Sequence, residues 1–378
     1  GGIDSSAVVS SMARMGGPPP HAFTARYHGS GAEETDETGL ARLLAERYGA
    51  RLTVVDVEPD VREIFEPIVR ALDEPHADES AIPSWVVSQA IAAEYKVALA
   101  GTGGDELFAG YRRHIGLLVG EHYGRLPRAL QRVISIAANA LPEPAGGGLA
   151  VHRLKRFAAG HGESSWQRYL DYSTKLSWQR RNALYAGDVR SSIEGTAAAG
   201  MFEALHERGG LFGGLRAGLY MDYRTYLPDD ILALSDRISM AHSLEVRVPF
   251  VDHEFVEHVF PLPDRAKVGF GRPKKLLRNA LRDRLPADHF RAPKRGFVGP
   301  TATWLRNELR EMLTDELSPQ RIQRLGFFDD RAITQLMGEH FERRHNREAI
   351  LWELLCFMTW HRLVVEENKP SAMALPVG

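Results

Sequence analysis

The chain has 378 residues, 44% hydrophobic and 25% charged, with 47 Lys+Arg against 49 Asp+Glu and a formal net charge of −2. That balance excludes a protein whose main task is neutralising nucleic-acid phosphates, and a single cysteine, Cys356, excludes an internal disulfide framework or a multi-cysteine zinc site. No run reaches the roughly 18 apolar residues of a membrane span; the nearest, residues 350–365, is broken by Glu353, His361 and Arg362 and reads as a buried amphipathic helix.

The first hundred residues alternate helix and strand signals. Residues 4–15 carry Val8, Val9, Met12 and Met15 at helical spacing and stop at Gly16-Gly17 and three prolines. Residues 21–27 read as a short strand and 37–48 as a helix with Leu40, Leu43, Leu44 and Tyr48 on one face. A Val-rich strand is expected at 52–57, helices at 61–72 and from Pro83 to about Tyr95, and a strand at 97–100. This rhythm predicts an α/β fold with a parallel sheet. Beyond Tyr111 the β signals fade, and helical patterns run on past glycine-rich loops at 142–148 and 209–218.

Two loops carry the chemistry. Gly1-Gly2-Ile3-Asp4-Ser5-Ser6 precedes the first helix. Its glycines allow close backbone approach, and a helix start with free N–H groups attracts phosphate; the same residues would also serve as a plain N-cap. Gly101-Thr102-Gly103-Gly104-Asp105-Glu106 follows a strand and opens another helix. Ligands of open parallel sheets bind beyond the carboxyl ends of the strands, so both loops are expected to face one crevice. Asp4 and Asp105 there offer hard oxygen ligands for a Mg²⁺ ion that also holds phosphate; as first-turn acids they would equally suit a helix dipole.

These motifs resemble the asparagine synthetase family. Residues 1–6 look like its pyrophosphate loop without the leading Ser, and residues 101–111 (GTGGDELFAGY) like its second nucleotide motif. Residues 226–252 (YLPDDILALSDRISMAHSLEVRVPFVD) are similar to its long signature, and residues 274–278 (KKLLR) and 293–300 (PKRGFVGP) to its two lysine motifs. The resemblance implies a pyrophosphate-loop, adenine-nucleotide hydrolase-like α/β core at 1–115 with its first strand missing. A mainly helical part at 116–365 would complete the active site, with a mobile tail at 366–378. It implies ATP and Mg²⁺, activation of a carboxylate as an acyl-adenylate, and displacement of AMP by ammonia. Gly1, Gly2, Asp4, Ser5 and Ser6 would hold pyrophosphate. Ala25, Ala100 and Gly101 would meet the adenosine end, and Asp4 and Asp105 the metal. Lys294 matches the active-site lysine and Lys274 the one supporting it.

Aspartate is then the expected acceptor and asparagine the product. A glutaminase domain is expected upstream, since the chain opens with Gly1 and reads as an interior cut. A cytoplasmic location is expected, without membrane or nucleic-acid partners, and with homodimerisation open. Thr102 departs from the family, which typically carries Glu there; threonine is no useful base near neutral pH, so another carboxylate acceptor is the alternative. Asp236, Arg237, Glu245, Arg247 and Asp252 could line the acceptor pocket or form a buried ion network, the latter preferred.

Other readings are weaker. His253 and His258 are five apart and fall on different faces of a helix, unlike a zinc-protease motif. Arg125, Arg128, Arg132, His152, Arg153, Lys155 and Arg156 read as solvated helix faces, leaving an RNA-modifying pyrophosphate-loop enzyme as a distant alternative. A decayed, non-catalytic nucleotide-binding module is weaker still, because Asp4, Asp105 and Lys294 are all present.

Overall fold

The computed structural model describes residues 1–27, 36–57, 60–141, 157, 165–175, 181–193, 197–210, 214–269, 272–293 and 296–367. Lys294, the 142–148 loop, His152, Arg153, Lys155, Arg156 and residues 368–378 of the expected tail lie outside them.

Helix α1 (Ile3–Arg14) begins directly on Gly1-Gly2, with Asp4 in its first turn and Arg14 in its last, both signs favoured by the helix dipole. It is followed by β1 (His21–Arg26), α2 (Thr38–Tyr48) and β2 (Arg51–Asp56). The strands run parallel, in register from His21 opposite Arg51 to Arg26 opposite Asp56. Arg26 grips Asp56 through two hydrogen bonds of 2.6 and 2.9 Å. On α2 the buried apolar residues are Ala41, Leu44 and Ala45, while Leu43 stays exposed, so the buried apolar stripe is narrower than the leucines suggest.

Asp60 caps α3 (Val61–Leu72), its carboxylate accepting from the Arg62 amide at 3.0 Å, and the helix buries Phe65, Ile68, Val69 and Leu72. In α4 (Ala81–Ala92), Pro83 sits in the first turn, where its missing N–H has no helical partner to lose. Next come β3 (Val97–Leu99), the short α5 (Gly104–Leu107) and α6 (Arg112–Gly124).

Helices α7 (Arg128–Asn139), α8 (Ser165–Ser173), α9 (Gly187–Ile193), α10 (Ala197–Gly210) and α11 (Gly214–Arg224) lead to a π-helical turn, Leu227–Leu232, and α12 (Ala233–Ala241). A strand then appears within the part expected to be mainly helical. β4 (Glu245–Arg247) pairs in parallel with β3, Val97 opposite Glu245 and Leu99 opposite Arg247. Three residues with charges flanking one valine carry no apolar run, which is why the β pattern is silent there. After it come α13 (His253–Val259), α14 (Asp264–Lys267), α15 (Lys275–Ala280), α16 (Asp288–Arg291), α17 (Thr301–Arg306), α18 (Arg310–Glu316), α19 (Pro319–Leu325), α20 (Asp330–Phe341) and α21 (Glu348–Trp360). Among the described residues, no helix is long and apolar enough to cross a membrane.

The largest apolar cluster joins α3, α4 and α12 to α17–α21, with Phe65 edge-on to Trp352 at 5.3 Å. Cys356 is buried in it, and that burial pushes its thiol pKa up, as befits an inert core residue. A second cluster joins Ala7, Val8, Leu44, Leu107, Phe108, Phe250 and Leu277, seating α1 and the end of α5 on the C-terminal half.

A buried polar network fixes α6 and α8 onto α11. Asp222, fully buried, accepts from His114 Nε2 at 2.5 Å, Arg113 at 2.9 Å and the Tyr169 hydroxyl at 2.5 Å. His114 Nδ1 accepts from the Tyr111 amide at 3.3 Å, which leaves the ring proton on Nε2. Burial opposes the Asp222 charge, yet His114 and Arg113 hold its pKa below the usual carboxylate value. Removing the acceptor leaves three donors buried without it. Asp222→Ala should therefore lose about 3 kcal/mol or more of stability, measured by chemical denaturation; a loss under about 1 kcal/mol would show that water replaces the carboxylate.

Candidate active site

The two glycine loops meet. A Cβ built on Gly101 would lie 2.6 Å from the Ser5 nitrogen, and one on Gly104 2.7 Å from an Asp4 carboxylate oxygen. A side chain at either position would push α1 away from the loop after β3. Gly103 caps α5 in the left-handed region at φ 88°, a conformation L side chains rarely adopt. Together these glycines let Asp4 and Asp105 face one another.

What stands between them is Lys274. Its ammonium bridges Asp4 Oδ2 and, at 2.7 Å, Asp105 Oδ1. Burial works against the charge of Lys274, but the two carboxylates outweigh it and raise its pKa above the ordinary lysine value. Lys274 itself takes a left-handed backbone at φ 56° as the cap of α15, and its amide donates to the Phe108 carbonyl at 3.2 Å. A Cβ on Gly110 would overlap both the Asp105 carboxylate and the Lys274 side chain.

This triad opens on a cavity of about 980 Å³. Gly1, Gly2, Asp4 and Ser5 line it from the start of α1, Ala25 from β1, and Ala100, Gly101, Thr102 and Asp105 from the second loop, with Lys274 from α15. Ser6 does not line it: its side chain is buried and donates to the Gly1 carbonyl at 3.3 Å, so it shapes the loop from behind. Lys294 lies outside the described residues, although Pro293 and Gly296 on either side reach the cavity. Part of the cavity is an apolar slot between β1 and β3, walled by Val9, Phe23, Ile91, Val97 and Leu99.

Behind the cavity-facing Asp105, Glu106 turns inward. Burial raises its pKa to about 7, and the Tyr111 hydroxyl donates to it at 2.5 Å. Arg113 lies between the rings of Tyr111 and Tyr226, 4.1 and 4.4 Å from their centroids. The signature segment also supplies Asp230, paired with His76 at 3.0 Å.

The signature residues do not form the buried ion network expected of them. Glu245 and Arg247 pair with each other at 2.8 Å, with side chains 56% and 64% exposed. Arg237 donates to the Leu72 carbonyl and pairs with Glu74 at 3.0 Å. Asp252 caps α13, accepting from the Phe255 amide at 3.1 Å. Strand alternation and helix capping send these charges outward, and none of them lines the cavity. Arg278, the last residue of the KKLLR motif, and His289, which the sequence gave no reason to select, do line it.

The family model for asparagine synthase matches residues 1–362. The chain belongs to the asparagine synthase family. It is 29% identical over 379 residues to asparagine synthetase [glutamine-hydrolyzing] 1 of Bacillus subtilis, covering 97% of this chain and 56% of that protein. It is 32% identical over 387 residues to a putative asparagine synthetase [glutamine-hydrolyzing] of Mycobacterium tuberculosis H37Rv, covering 100% of this chain and 55% of that one. The amidase chry2 of Gibberella zeae is 24% identical over 392 residues, covering 91% and 55%. The chain thus spans about half the length of these curated relatives.

Two carboxylates that already share one cation fit a hard divalent ion that keeps water and phosphate oxygens in its shell. Among the described residues no group of three or more acidic, His or Cys side chains could cage a metal, so substrate oxygens would complete such a site. Lys274→Met removes the ammonium that the two carboxylates share. We expect the variant to lose about 3 kcal/mol in EDTA and to gain more stability from Mg²⁺ than the parent does, read as melting temperature against Mg²⁺ concentration. Equal Mg²⁺ effects on the two proteins would mean that Asp4 and Asp105 do not act as one cation seat.

Proposed function

We propose that this chain forms amides at a carboxylate at the expense of ATP, which is cleaved to AMP and pyrophosphate. The convergence of Asp4 and Asp105 on Lys274 at the wall of a large cavity carries the reading. In it, the terminal phosphates lie against Gly1, Gly2 and Ser5 at the start of α1, where free N–H groups and the helix dipole favour anions. The adenosine end lies toward Ala25, Ala100 and Gly101. Asp4 and Asp105 hold a Mg²⁺ ion, which supplies positive charge for the polyphosphate.

The acceptor carboxylate attacks the α-phosphorus and pyrophosphate leaves, giving an acyl-adenylate. Ammonia then adds to the acyl carbon and AMP departs with its phosphate, leaving the amide. Both steps gather negative charge around the α-phosphate, and fixed cations there lower the barrier. Lys274 is one of those charges, and Lys294, by its match to the family motif, is the other.

Residues 1–115 serve in this reading as the nucleotide core and 116–365 as the part that closes the site. A further parallel strand running into Gly1 fits the slot between β1 and β3 and would join the two strand pairs into one sheet of the pyrophosphate-loop type. Ammonia comes from glutamine through an upstream glutaminase domain, as the glutamine-hydrolysing relatives of nearly twice the length suggest, and the enzyme works in the cytoplasm.

Aspartate is the first acceptor to test. Thr102 favours a second reading, the same chemistry on another carboxylate, since this residue lines the cavity with a hydroxyl that cannot act as a base. ³¹P spectra of Mg-ATP with ammonia, with and without aspartate, decide between them. The first reading expects aspartate-dependent AMP and pyrophosphate together with asparagine. Turnover only with other carboxylates would establish the second, and a folded protein that cleaves ATP with none would end both. Asp105→Asn should slow pyrophosphate release by roughly a hundredfold or more while the protein stays folded; near-parental turnover would take Asp105 out of the metal site.

A further inference from the structure

We propose that α7 is a docking face for an anionic lipid surface, a role separate from the amide-forming site, whose cavity this helix does not line. Its amphipathic pattern is turned inside out. The side against the protein holds Gln131, Ser135 and Ala138, all buried, while Leu130, Val133 and Ile136 are 45%, 61% and 64% exposed. Ala129 and Ala137 are exposed among them, and at about 100° per residue these five positions cover roughly 120° of the helix surface. Arg128 and Arg132, also exposed, fall on the arc between the apolar face and the buried one. Leu126 and Leu141 carry exposed apolar surface past either end of the helix.

Hydrogen bonds lock this orientation. The Gln131 side-chain amide donates to the Leu126 carbonyl at 2.8 Å and the Gly124 carbonyl at 3.3 Å, and the hydroxyl of buried Tyr123 donates to the Gln131 carbonyl at 2.8 Å. Rolling α7 to hide its apolar face would break these bonds and leave buried polar groups without partners. The helix therefore holds its leucine, valine and isoleucine outward, and a connected apolar stripe in that position marks a contact surface.

The charges around the stripe point to the partner. From His122 to Leu141 the chain has three arginines and no acidic residue, although its overall formal charge is −2. A second copy would bring these like charges together with no acid between them. A helix of 12 residues, about 18 Å long, also offers a protein partner far less than the roughly 800 Å² per side of a specific interface. A lipid surface requires neither a matching groove nor a minimum area. The apolar face would enter the boundary of the acyl chains, while the arginine stems reach back to the lipid phosphates. The contact is peripheral and uses no spanning helix.

The test is sedimentation of the full-length protein with vesicles of phosphatidylcholine alone and of equal parts phosphatidylcholine and phosphatidylglycerol. The parent should bind the anionic vesicles in preference, and added salt should weaken that binding. Val133→Ser combined with Ile136→Ser should lower partition into the anionic vesicles roughly tenfold or more and leave the unfolding temperature at the parental value. Arg128→Gln combined with Arg132→Gln should lose roughly tenfold as well and abolish the preference for anionic lipid. No vesicle binding by the parent, equal binding to both kinds of vesicle, or undiminished binding by either folded variant overturns the proposal. So does a dimer, seen by light scattering, that the Val133→Ser, Ile136→Ser protein fails to form, because a second copy would then cover the stripe.

Discussion

Asp4 and Asp105 belong to different loops, and the fold brings them to the same cation. Like charges a few ångströms apart repel by several kcal/mol at intermediate dielectric, so their approach needs a counter-charge and a backbone that tolerates it. Lys274 supplies the first. Glycines at 101, 104 and 110 supply the second, because any Cβ at these positions would collide with Asp4, Ser5 or the Asp105–Lys274 pair. The order of elements follows from this constraint: α5 starts just beyond the parallel strand β3, and α15 comes from the far half of the chain to meet it and the start of α1. The bridge is thus also the joint between the two halves.

Two neighbouring acids in the second loop show how finely that joint is divided. Asp105 faces the cavity and is neutralised by Lys274. Glu106, one residue on, points the opposite way, where burial raises its pKa to about 7 and the Tyr111 hydroxyl satisfies it. Tyr111 in turn stacks on Arg113, whose guanidinium pairs with Asp222. A chain of satisfied polar contacts therefore runs from the loop to α11, and the loop owes its rigidity to that backing more than to its own six residues.

Much of this was legible in the sequence because the signals are local. A glycine pair before a helix, a Val-rich strand and a Gly-rich strand-to-helix turn all declare themselves within a few residues, and β1, β2, β3 and α3 lie within a residue or two of expectation. Ser6, β4 and the signature charges were harder for a common reason. Ser6 turns away from the cavity because its hydroxyl finds the Gly1 carbonyl behind it. β4 owes its existence to the edge of β3 rather than to a pattern of its own. His289 shares the difficulty: a buried histidine looks like any other in sequence, and only the structure places it on the cavity wall.

The backbone strain at the joint points in the same direction. Lys274 and Ala109 are both held at φ 56°, where a side chain costs of order 1 kcal/mol. They are adjacent in space, since the Lys274 amide donates to the carbonyl of Phe108, the residue before Ala109. A chain selected only for stability would place glycine at both positions. At 274 glycine would remove the ammonium, and Asp4 and Asp105 would lose the charge that lets them approach. The strain is therefore tolerated for the sake of the side chain, whose ammonium holds the two carboxylates of the cavity wall together.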